Sequence, residues 1–364
     1  MELLIQPGTG IGPLLEGIEK AHHTLQIVIF RFDRGEIEAA LVRAVRRGVF
    51  VHALVAYTST GQGGERTLRG LETRLLADGV SVARTATDLV RYHDKMMIID
   101  KKTLYMLGFN YTYLDIERSR SFGIVSEDKT WVQEAEKLFI ADATRQIYTP
   151  SCDTFLVSPG NSRRHLTTFI QKAEKQLLIY DGKLSDPTMM RLLMQRAKEG
   201  VEIRVIGKAG KHTPDIQVAP LDMRLHAQSI VRDGEAMYLG SQSLRTLELD
   251  ARREVGVILT DKPICEKVRQ IFEEDWERIK NRQDVPLTQA EIVAEDPSTP
   301  ALAEGDETNN AEPVTPIAVK AAIKEAIKDV LMESMPQYQE AKILKEVVKE
   351  AAKEAMRELT ETAG

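Results

Sequence analysis

The chain repeats its own sequence pattern at an interval of about 150 residues, and this duplication constrains the fold more than any other feature. The two similar segments are residues 7–55 and 159–206. The landmarks that recur at an offset of 152 positions are Pro7-Gly8 with Pro159-Gly160, Lys20-Ala21 with Lys172-Ala173, and Gly48 with Gly200. A second pair of similar segments follows, at 92–112 and 225–243. Repeats of this size predict two copies of a whole domain rather than a short-period solenoid.

Each copy alternates helical and strand patterns. In the first copy, Leu25–Phe30 is a continuous apolar run typical of a buried strand. Glu36–Arg47 has apolar residues along one helical face, and Val49–Val55 is again a strand pattern. Strands that alternate with helices of this length predict an α/β fold with two similar sandwich halves. We place these halves at 1–150 and 151–280.

The C-terminal part of the chain differs from the two copies. Residues 281–316 contain five prolines in an acidic stretch without aromatic residues, a composition typical of a flexible linker. Residues 317–364 resume a helical pattern, with apolar residues on one face and Lys and Glu on the other. We expect an amphipathic helical tail that forms a homo-oligomer or docks on the body. A peripheral membrane helix is the weaker alternative, because the tail has no Trp or Phe and no excess of basic residues.

Composition limits the class of protein. No apolar run is long enough for a transmembrane helix, no signal peptide is recognisable, and the two cysteines show no metal-binding spacing, which together predict a cytoplasmic protein. From residue 281 onward there are 9 basic and 17 acidic residues, a balance of −8, so the body carries only about +2 of the total of −6. A body this close to neutral lacks the strong basic surplus of a duplex-DNA-binding protein.

The string His93-Asp94-Lys95-Met96-Met97-Ile98-Ile99-Asp100 carries the main chemical signal. On a strand, His93 and Lys95 point to the same side, so one can attack a phosphorus while the other binds a phosphoryl oxygen. Asp100 ends the strand, where its carboxylate could orient an imidazole or close the turn. No HxxH, HExxH or CxxC motif occurs, so the sequence predicts neither a metal site nor a cofactor.

A reduced form of the string recurs in the second copy. His226, Gln228 and Asp233 repeat the spacing of the first motif, with Gln in place of Lys. A glycine turn with a polar amide follows each motif, Gly108-Phe109-Asn110 in the first copy and Gly240-Ser241-Gln242 in the second. An acidic residue, Glu254, follows in the second copy, where its counterpart in the first is Ser121. Recurrence at equivalent places of a repeat argues against coincidence.

These motifs resemble the phospholipase D superfamily, whose signature is HxKxxxxD followed by a GxxN-type turn, in two copies. The resemblance covers roughly residues 1–280. It implies two α/β halves whose motifs meet at a pseudo-twofold interface in one metal-independent active site. Members of that superfamily include phospholipases, cardiolipin and phosphatidylserine synthases, and nucleases.

The resemblance also implies a role for each motif residue. His93 would be the nucleophile that forms a phosphohistidine, and His226 the general acid and later base. Asp100 and Asp233 would each hold an imidazole of the site. The groups that would bind or neutralise the phosphoryl oxygens are Lys95, Asn110, Gln228 and Gln242, with Glu254 in a supporting role.

The sequence departs from the family pattern at three places. Gln228 stands where lysine is expected, Ser121 where an acidic residue is expected, and Phe109 where a small residue is expected. A glutamine amide can donate a hydrogen bond but carries no charge. Arg224 or Arg232 could supply a charge nearby.

The sequence therefore favours a phosphodiesterase of the phospholipase D type, with a phospholipid as the first expected substrate and hydrolysis or phosphatidyl transfer as the reaction. A nuclease of the same fold is the first alternative. A catalytically reduced binding or scaffold protein is the second, and Gln228 is its main support.

Overall fold

A computed structural model of the chain describes residues 1–57, 65–209 and 215–283. Residues Met1–Lys280 form one compact unit. The predicted linker, apart from residues 281–283, and the predicted helical tail lie outside the described residues. Within the described ranges, no helix is both long enough and apolar enough to cross a membrane.

The first half contains eight strands and five helices in the described ranges. Its strands are β1 (Glu2–Gln6), β2 (Thr24–Ile29), β3 (Phe50–Val55), β4 (Ser81–Arg84), β5 (Arg91–Tyr92), β6 (Met96–Ile99), β7 (Thr103–Leu107) and β8 (Ser119–Ser126). Its helices are α1 (Gly12–Glu19), α2 (Gly35–Arg46), α3 (Glu65–Ala77), α4 (Tyr113–Glu117) and α5 (Lys129–Thr144).

The second half is built in the same way. Its strands are β9 (Phe155–Ser158), β10 (Gln176–Leu184), β11 (Glu202–Ala209), β12 (Gln217–Ala219), β13 (Arg224–Leu225), β14 (Gln228–Arg232), β15 (Ala236–Gly240) and β16 (Arg252–Leu259). Its helices, as far as the chain is described, are α6 (Ser162–Gln171), α7 (Pro187–Lys198), α8 (Thr246–Asp250) and α9 (Lys262–Gln283).

The two sheets correspond strand for strand. The first has the order β1-β8-β7-β6-β2-β3-β4, and the second has β9-β16-β15-β14-β10-β11-β12. In each sheet, the strands joined through helices pair in parallel, β2 with β3 and β10 with β11, while the motif strands β6 and β14 pair antiparallel to them. The prediction of two similar α/β halves is confirmed.

The halves share a hydrophobic core. Alternate residues of β2 and β10 point to opposite faces, so Ile27 and Ile179 pack against the outer helices of their own halves. Val28 and Tyr180 point inward, into a central cluster that also contains side chains of α5 and α9. Because both sheets contribute to this cluster, burial of apolar surface stabilises the association of the halves as well as each half.

A short exchange of strands brings the motif segments together. β5 of the first half pairs with β16, and β13 of the second half pairs with β8. The backbones approach closely there: a Cβ atom on Gly108 would lie 2.8 Å from the carbonyl oxygen of Phe122 and 3.2 Å from that of Gly240. Only glycine permits this contact, which places the residues after β5 and β13 at the interface.

Candidate active site

His93 and His226 face each other across the interface between the halves. Their ring centroids are 6.5 Å apart, with an angle of 68° between the ring planes. Each is held by the opposite half, since the His93 amide donates to the Arg253 carbonyl at 2.8 Å and the His226 amide donates to the Arg120 carbonyl at 3.0 Å. The strand exchange therefore sets the distance between the two imidazoles.

A carboxylate of the second half orients His93. Nδ1 of His93 lies 2.9 Å from both carboxylate oxygens of Glu254, which is fully buried on β16. Phe30 packs against the imidazole edge to face, with 4.5 Å between the ring centroids. With Nδ1 donating to Glu254, the lone pair of the neutral imidazole is on Nε2, the atom that would attack phosphorus. Burial, and then the charge of Lys95, lower the pKa of His93 well below its ordinary value, which keeps the ring neutral.

Lys95 lies beside the same imidazole. Its Nζ is 3.0 Å from Nδ1 and from Nε2 of His93 and donates to the His93 carbonyl oxygen at 2.6 Å. The side chain has no exposed surface. Burial lowers the pKa of Lys95 to about 8, against the attraction of Glu254. In turn, burial raises the pKa of Glu254, against the attraction of Lys95. This pair places a cation next to the proposed nucleophile at neutral pH.

A carboxylate of the first half lies next to His226. Asp115, the third residue of α4, has Oδ2 at 3.4 Å from Nε2 of His226. Within the described residues this Nε2 has no partner in hydrogen-bonding geometry, so the contact is an ion pair at most. Arg224 completes the group: it donates to Asp115 Oδ1 at 2.5 Å and lies 3.5 Å from Nδ1 of His226. Burial lowers the pKa of His226 to about 4; Asp115 opposes this shift and Arg224 adds to it.

Asp115 is fixed from several directions. It accepts hydrogen bonds from the backbone and side-chain amides of Asn110, at 2.8 and 2.7 Å. Burial would raise its pKa, but attraction by His226 and Arg224 outweighs burial and lowers the pKa below its usual range. Asn110, predicted to bind phosphate, is thus placed at the site, and one of its amide hydrogens is used to hold Asp115.

The predicted imidazole-holding role of Asp100 and Asp233 is wrong. Asp100 accepts hydrogen bonds from three consecutive backbone amides, those of residues 22, 23 and 24, at 2.7 to 2.9 Å. Asp233 accepts in the same way from the amides of residues 174, 175 and 176. Both aspartates have positive φ, 51° and 55°, in the turn after the motif strand. They close that turn on the start of β2 or β10, and Glu254 and Asp115 lie beside the imidazoles instead.

The predicted pairing of Gln242 with Asn110 is also wrong. The halves superpose in sequence at an offset of 133 residues around the site, and Ser243 therefore corresponds to Asn110. Its backbone amide donates to Glu248, just as the Asn110 amide donates to Asp115. The Gln242 side chain, 1% exposed, donates to Ser162 and accepts from Tyr238. Its amide is therefore part of the second-half core and does not reach the phosphate site.

The remaining predicted residues lie as follows. Gln228 is the first residue of β14, half-buried, and pairs with Asp181 of β10. Ser121, fully buried on β8, occupies the place that corresponds to Glu254. Arg232 donates to the Phe169 carbonyl, away from the histidines. Phe109 belongs to the first-half core.

Asp115 and Phe30 were not predicted from the sequence. Asp115 follows Asn110 by five residues, as Glu248 follows Ser243, so alignment of the copies at the offset of 133 would have revealed it. Phe30 carries no such signal, because one aromatic residue at the end of an apolar strand is ordinary core sequence. Within the residues that the structure describes, no group of three or more His, Cys, Asp or Glu side chains is arranged to hold a metal ion.

Comparison with known proteins finds sequence relatives that match part of this chain. Residues 14–143 match the family model described as cardiolipin synthase, phospholipase D-like domain. A mitochondrial cardiolipin hydrolase of Danio rerio is 24% identical over 133 residues, which are 36% of this chain and 56% of that protein. The corresponding protein of Canis lupus familiaris is 26% identical over 149 residues, or 40% and 55% of the two chains. The chain thus spans little more than half the length of these curated relatives.

Solved structures resemble the body as a whole. A phosphatidylserine synthase of Haemophilus influenzae Rd KW20 matches with a TM-score of 0.58 and 11% identity, over 76% of this chain and 85% of that one. A polyphosphate kinase of Porphyromonas gingivalis matches with a TM-score of 0.63 and 17% identity, over 75% and 49%. At these identities the likeness establishes the fold. Together with the sequence matches, it confirms the resemblance that the two motifs predicted.

Proposed function

From its relationship to the phospholipase D superfamily, we propose that this chain is a metal-independent phosphodiesterase that works through a phosphohistidine. The observation that carries the proposal is the pair of half-buried imidazoles from different halves, with ring centroids 6.5 Å apart, each beside a carboxylate of the opposite half. Two imidazoles so placed can act on the two sides of one phosphorus. Each half alone supplies one imidazole, so the site requires both.

In the first step, Nε2 of His93 attacks the phosphorus of the diester. The bond from phosphorus to the leaving oxygen breaks, and protonated His226 delivers its proton to that oxygen. Lys95 turns from the imidazole to a phosphoryl oxygen and neutralises the charge that develops there. Glu254 accepts the Nδ1–H hydrogen bond and stabilises the imidazole ring as it gains positive character.

In the second step, a water molecule or an alcohol attacks the phosphohistidine. His226, now neutral, takes the proton of the attacking oxygen, and the phosphorus–nitrogen bond breaks to release His93. The lowered pKa of His226 keeps its ring neutral at neutral pH, so that it can accept a proton in this step. For the acid step, the negative phosphate must raise that pKa when the substrate binds, since an anion favours the protonated imidazole.

We take a phospholipid as the substrate class. The description of the matching family model and the names of the curated relatives and of the phosphatidylserine synthase support it. Two exposed side chains with apolar surface, Tyr113 and Leu114, directly precede Asp115 in α4 and are 50% and 37% exposed. An apolar surface next to a phosphate site suits a substrate with acyl chains.

The test is turnover in EDTA on three substrates: cardiolipin vesicles, a nitrophenyl phosphodiester and single-stranded DNA. We expect activity on vesicles that EDTA does not abolish. His93→Ala should lower this activity by at least ~10³-fold because the nucleophile is gone. The covalent phosphohistidine enzyme should be trapped when the reaction is quenched without acid. His22→Ala, which changes an exposed histidine, is the matched control and should retain full activity.

Three outcomes count against the proposal. Activity abolished by EDTA would indicate a metal-dependent reaction. Turnover of His93→Ala within tenfold of the wild type would show that His93 is not the nucleophile. Activity on single-stranded DNA alone would retain the chemistry and replace the lipid with a nucleic acid, and the absence of all turnover would favour a binding protein.

A further inference from the structure

The second half lacks the cation that the first half directs at the substrate. Lys95 in the first half corresponds to Gln228, which carries no charge. A phosphoryl group under attack gains negative charge, and fixed positive groups on both sides of it stabilise the transition state. The site is therefore one positive charge short on the His226 side unless another residue supplies it.

Arg224 is the cation that the fold places there. It is the first residue of β13, two positions before His226, and one guanidinium nitrogen lies 3.5 Å from Nδ1 of that histidine. The side chain is 34% exposed, whereas Asp115 beneath it is 2% exposed. A ligand can therefore reach the guanidinium from the side that faces away from the carboxylate.

The contacts of the Arg224 guanidinium hold it in place and leave some of its N–H groups available. One nitrogen donates to Asp115 Oδ1 at 2.5 Å and to Ser119 Oγ at 2.7 Å. Asp115 is in turn fixed by both amides of Asn110. A guanidinium has five N–H groups in a rigid plane, so donors remain for a phosphoryl oxygen.

Two other arginines near the second motif in the sequence do not fit this role. Arg232 lies with its guanidinium carbon 4.6 Å from the centroid of Phe169 and donates to the carbonyl of that residue. Arg252 is 4% exposed and donates to Glu248. Neither is both exposed and adjacent to His226.

We propose that Arg224 supplies the second-half cation of the phosphoryl site in place of the lysine missing at position 228, with Asp115 as the positioning residue that holds it beside His226. This inference rests on the proposed phosphodiesterase function. It explains how the second half can lose its motif lysine and remain part of a working site.

The test is a mutant cycle of Arg224→Gln, Gln228→Lys and the double variant. Two quantities are measured for each: the Kd of orthovanadate, a phosphate analogue, and kcat/KM on a nitrophenyl phosphodiester. We expect Arg224→Gln to weaken vanadate binding and to lower kcat/KM by roughly 10- to 100-fold, as for loss of a charge-assisted hydrogen bond. Gln228→Lys should restore most of this loss in the double variant. In the wild-type background it should give no gain, since two adjacent cations repel each other.

Two further variants distinguish loss of the Arg224 charge from damage to the fold. Arg224→Lys retains the charge and should stay within about tenfold of the wild type, which distinguishes charge from damage to the fold if Arg224→Gln unfolds. Arg232→Gln removes an arginine of the same region that faces Phe169, and it should leave both quantities unchanged.

Unchanged vanadate binding in Arg224→Gln would overturn the inference, as would equal gains from Gln228→Lys in both backgrounds. If vanadate binding depends on Arg224 but the wild type turns over no diester, the proposed function fails and the cation site remains. If the wild type turns over the diester and Arg224→Gln does so equally well, the inference fails alone.

Discussion

The two halves of the body have the same backbone plan but different charges. At the offset of 133 residues, the positions that keep their character are Arg91 and Arg224, His93 and His226, Asp115 and Glu248, Arg120 and Arg253, and Asp142 and Asp275. The positions that differ in charge are Asp94 and Ala227, Lys95 and Gln228, Ser119 and Arg252, and Ser121 and Glu254. The shared positions fix the frame of the site, and the others divide its chemistry between the halves.

The division is reciprocal. His93 takes its carboxylate, Glu254, from β16 of the second half, while His226 takes Asp115 from α4 of the first half. In the first half, Ser121 stands where the second half has Glu254, so the carboxylate that the first half contributes to the site is Asp115 instead. The second-half counterpart of Asp115, Glu248, accepts from Arg245 and Arg252 of its own half. The two halves thus share a backbone plan, and the positions at which they differ determine which half holds each charge.

The largest expected effect separates the two histidines. His226→Ala should lower turnover of a phospholipid by ~10²- to 10⁴-fold, the usual contribution of a general acid. A nitrophenyl diester has a leaving group that needs little protonation, so the loss there should be much smaller. His93→Ala should be equally severe on both substrates, because a nucleophile is needed for either. Equal losses for His226→Ala on the two substrates would remove the distinction between the roles.

The next largest effect tests the difference between Glu254 and its first-half counterpart Ser121. Glu254→Gln keeps the size of the side chain but weakens the hydrogen bond to His93, so kcat should fall by roughly 10- to 100-fold. The corresponding substitution in the first half, Ser121→Ala, should change kcat by less than about twofold, because Ser121 Oγ has no hydrogen-bond partner in the described part of the chain. Steady-state kinetics of both variants on one diester provides the measurement. Similar losses would contradict the division of roles.

The pH dependence of activity tests the difference between Lys95 and its uncharged second-half counterpart Gln228. The pKa of Lys95 is lowered to about 8, so its positive charge is present below pH 8 and lost as the pH rises through that value. On a nitrophenyl diester, whose leaving group needs little protonation by His226, we expect kcat/KM to fall above pH 8, by about tenfold per pH unit if one proton controls it. Lys95→Gln, which makes the first half resemble the second, should lower activity and abolish this limb. Lys101→Gln, at an exposed lysine paired with Glu136, should leave the limb in place.

The smallest effect concerns a buried acid that the second half lacks. Asp94 is 1% exposed, and neither of its oxygens has a hydrogen-bond partner among the described residues. Burial raises its pKa to about 6, against the attraction of Arg253, which is already paired with Asp142. Because the folded-state pKa is above that of the unfolded chain, stability is full below about pH 4 and is lost as the pH rises through 6. The counterpart of Asp94 is Ala227, so the second half avoids this cost.

Asp94→Asn should therefore stabilise the protein at pH 8 by about 1–3 kcal/mol and have little effect at pH 4. Chemical denaturation at the two pH values measures the difference. The matched control is Asp275→Asn, which removes the buried partner of Arg120 and should destabilise the protein by about 3–5 kcal/mol. A gain for Asp94→Asn that does not depend on pH would show that ionisation of Asp94 is not its cause.

The sequence by itself determined the duplication, the α/β halves and the identity of the two histidines with Lys95. These depend on local periodicity and on a motif whose members lie on one strand, so spacing alone places them together. It also identified the unequal pair of Ser121 and Glu254. The error at Gln242 arose because the copies were aligned on their glycines instead of at the offset of 133 residues. The error at Asp100 and Asp233 arose because a role was assigned from proximity along the chain. Asp100 is seven residues from His93, yet its carboxylate reaches backbone amides 76 to 78 residues away.

Only the tertiary structure decided which acid meets which base. Glu254 contacts a histidine 161 residues away, and Arg224 contacts a carboxylate 109 residues away. Such pairs form because β5 and β13 each join the sheet of the other half. The backbone hydrogen bonds of these strands bring the residues of the two halves close enough for their side chains to make contact. Local propensity carries no information on a contact of this range. The sequence therefore specifies the set of charges at the site, and the exchange of strands between the halves specifies their partners.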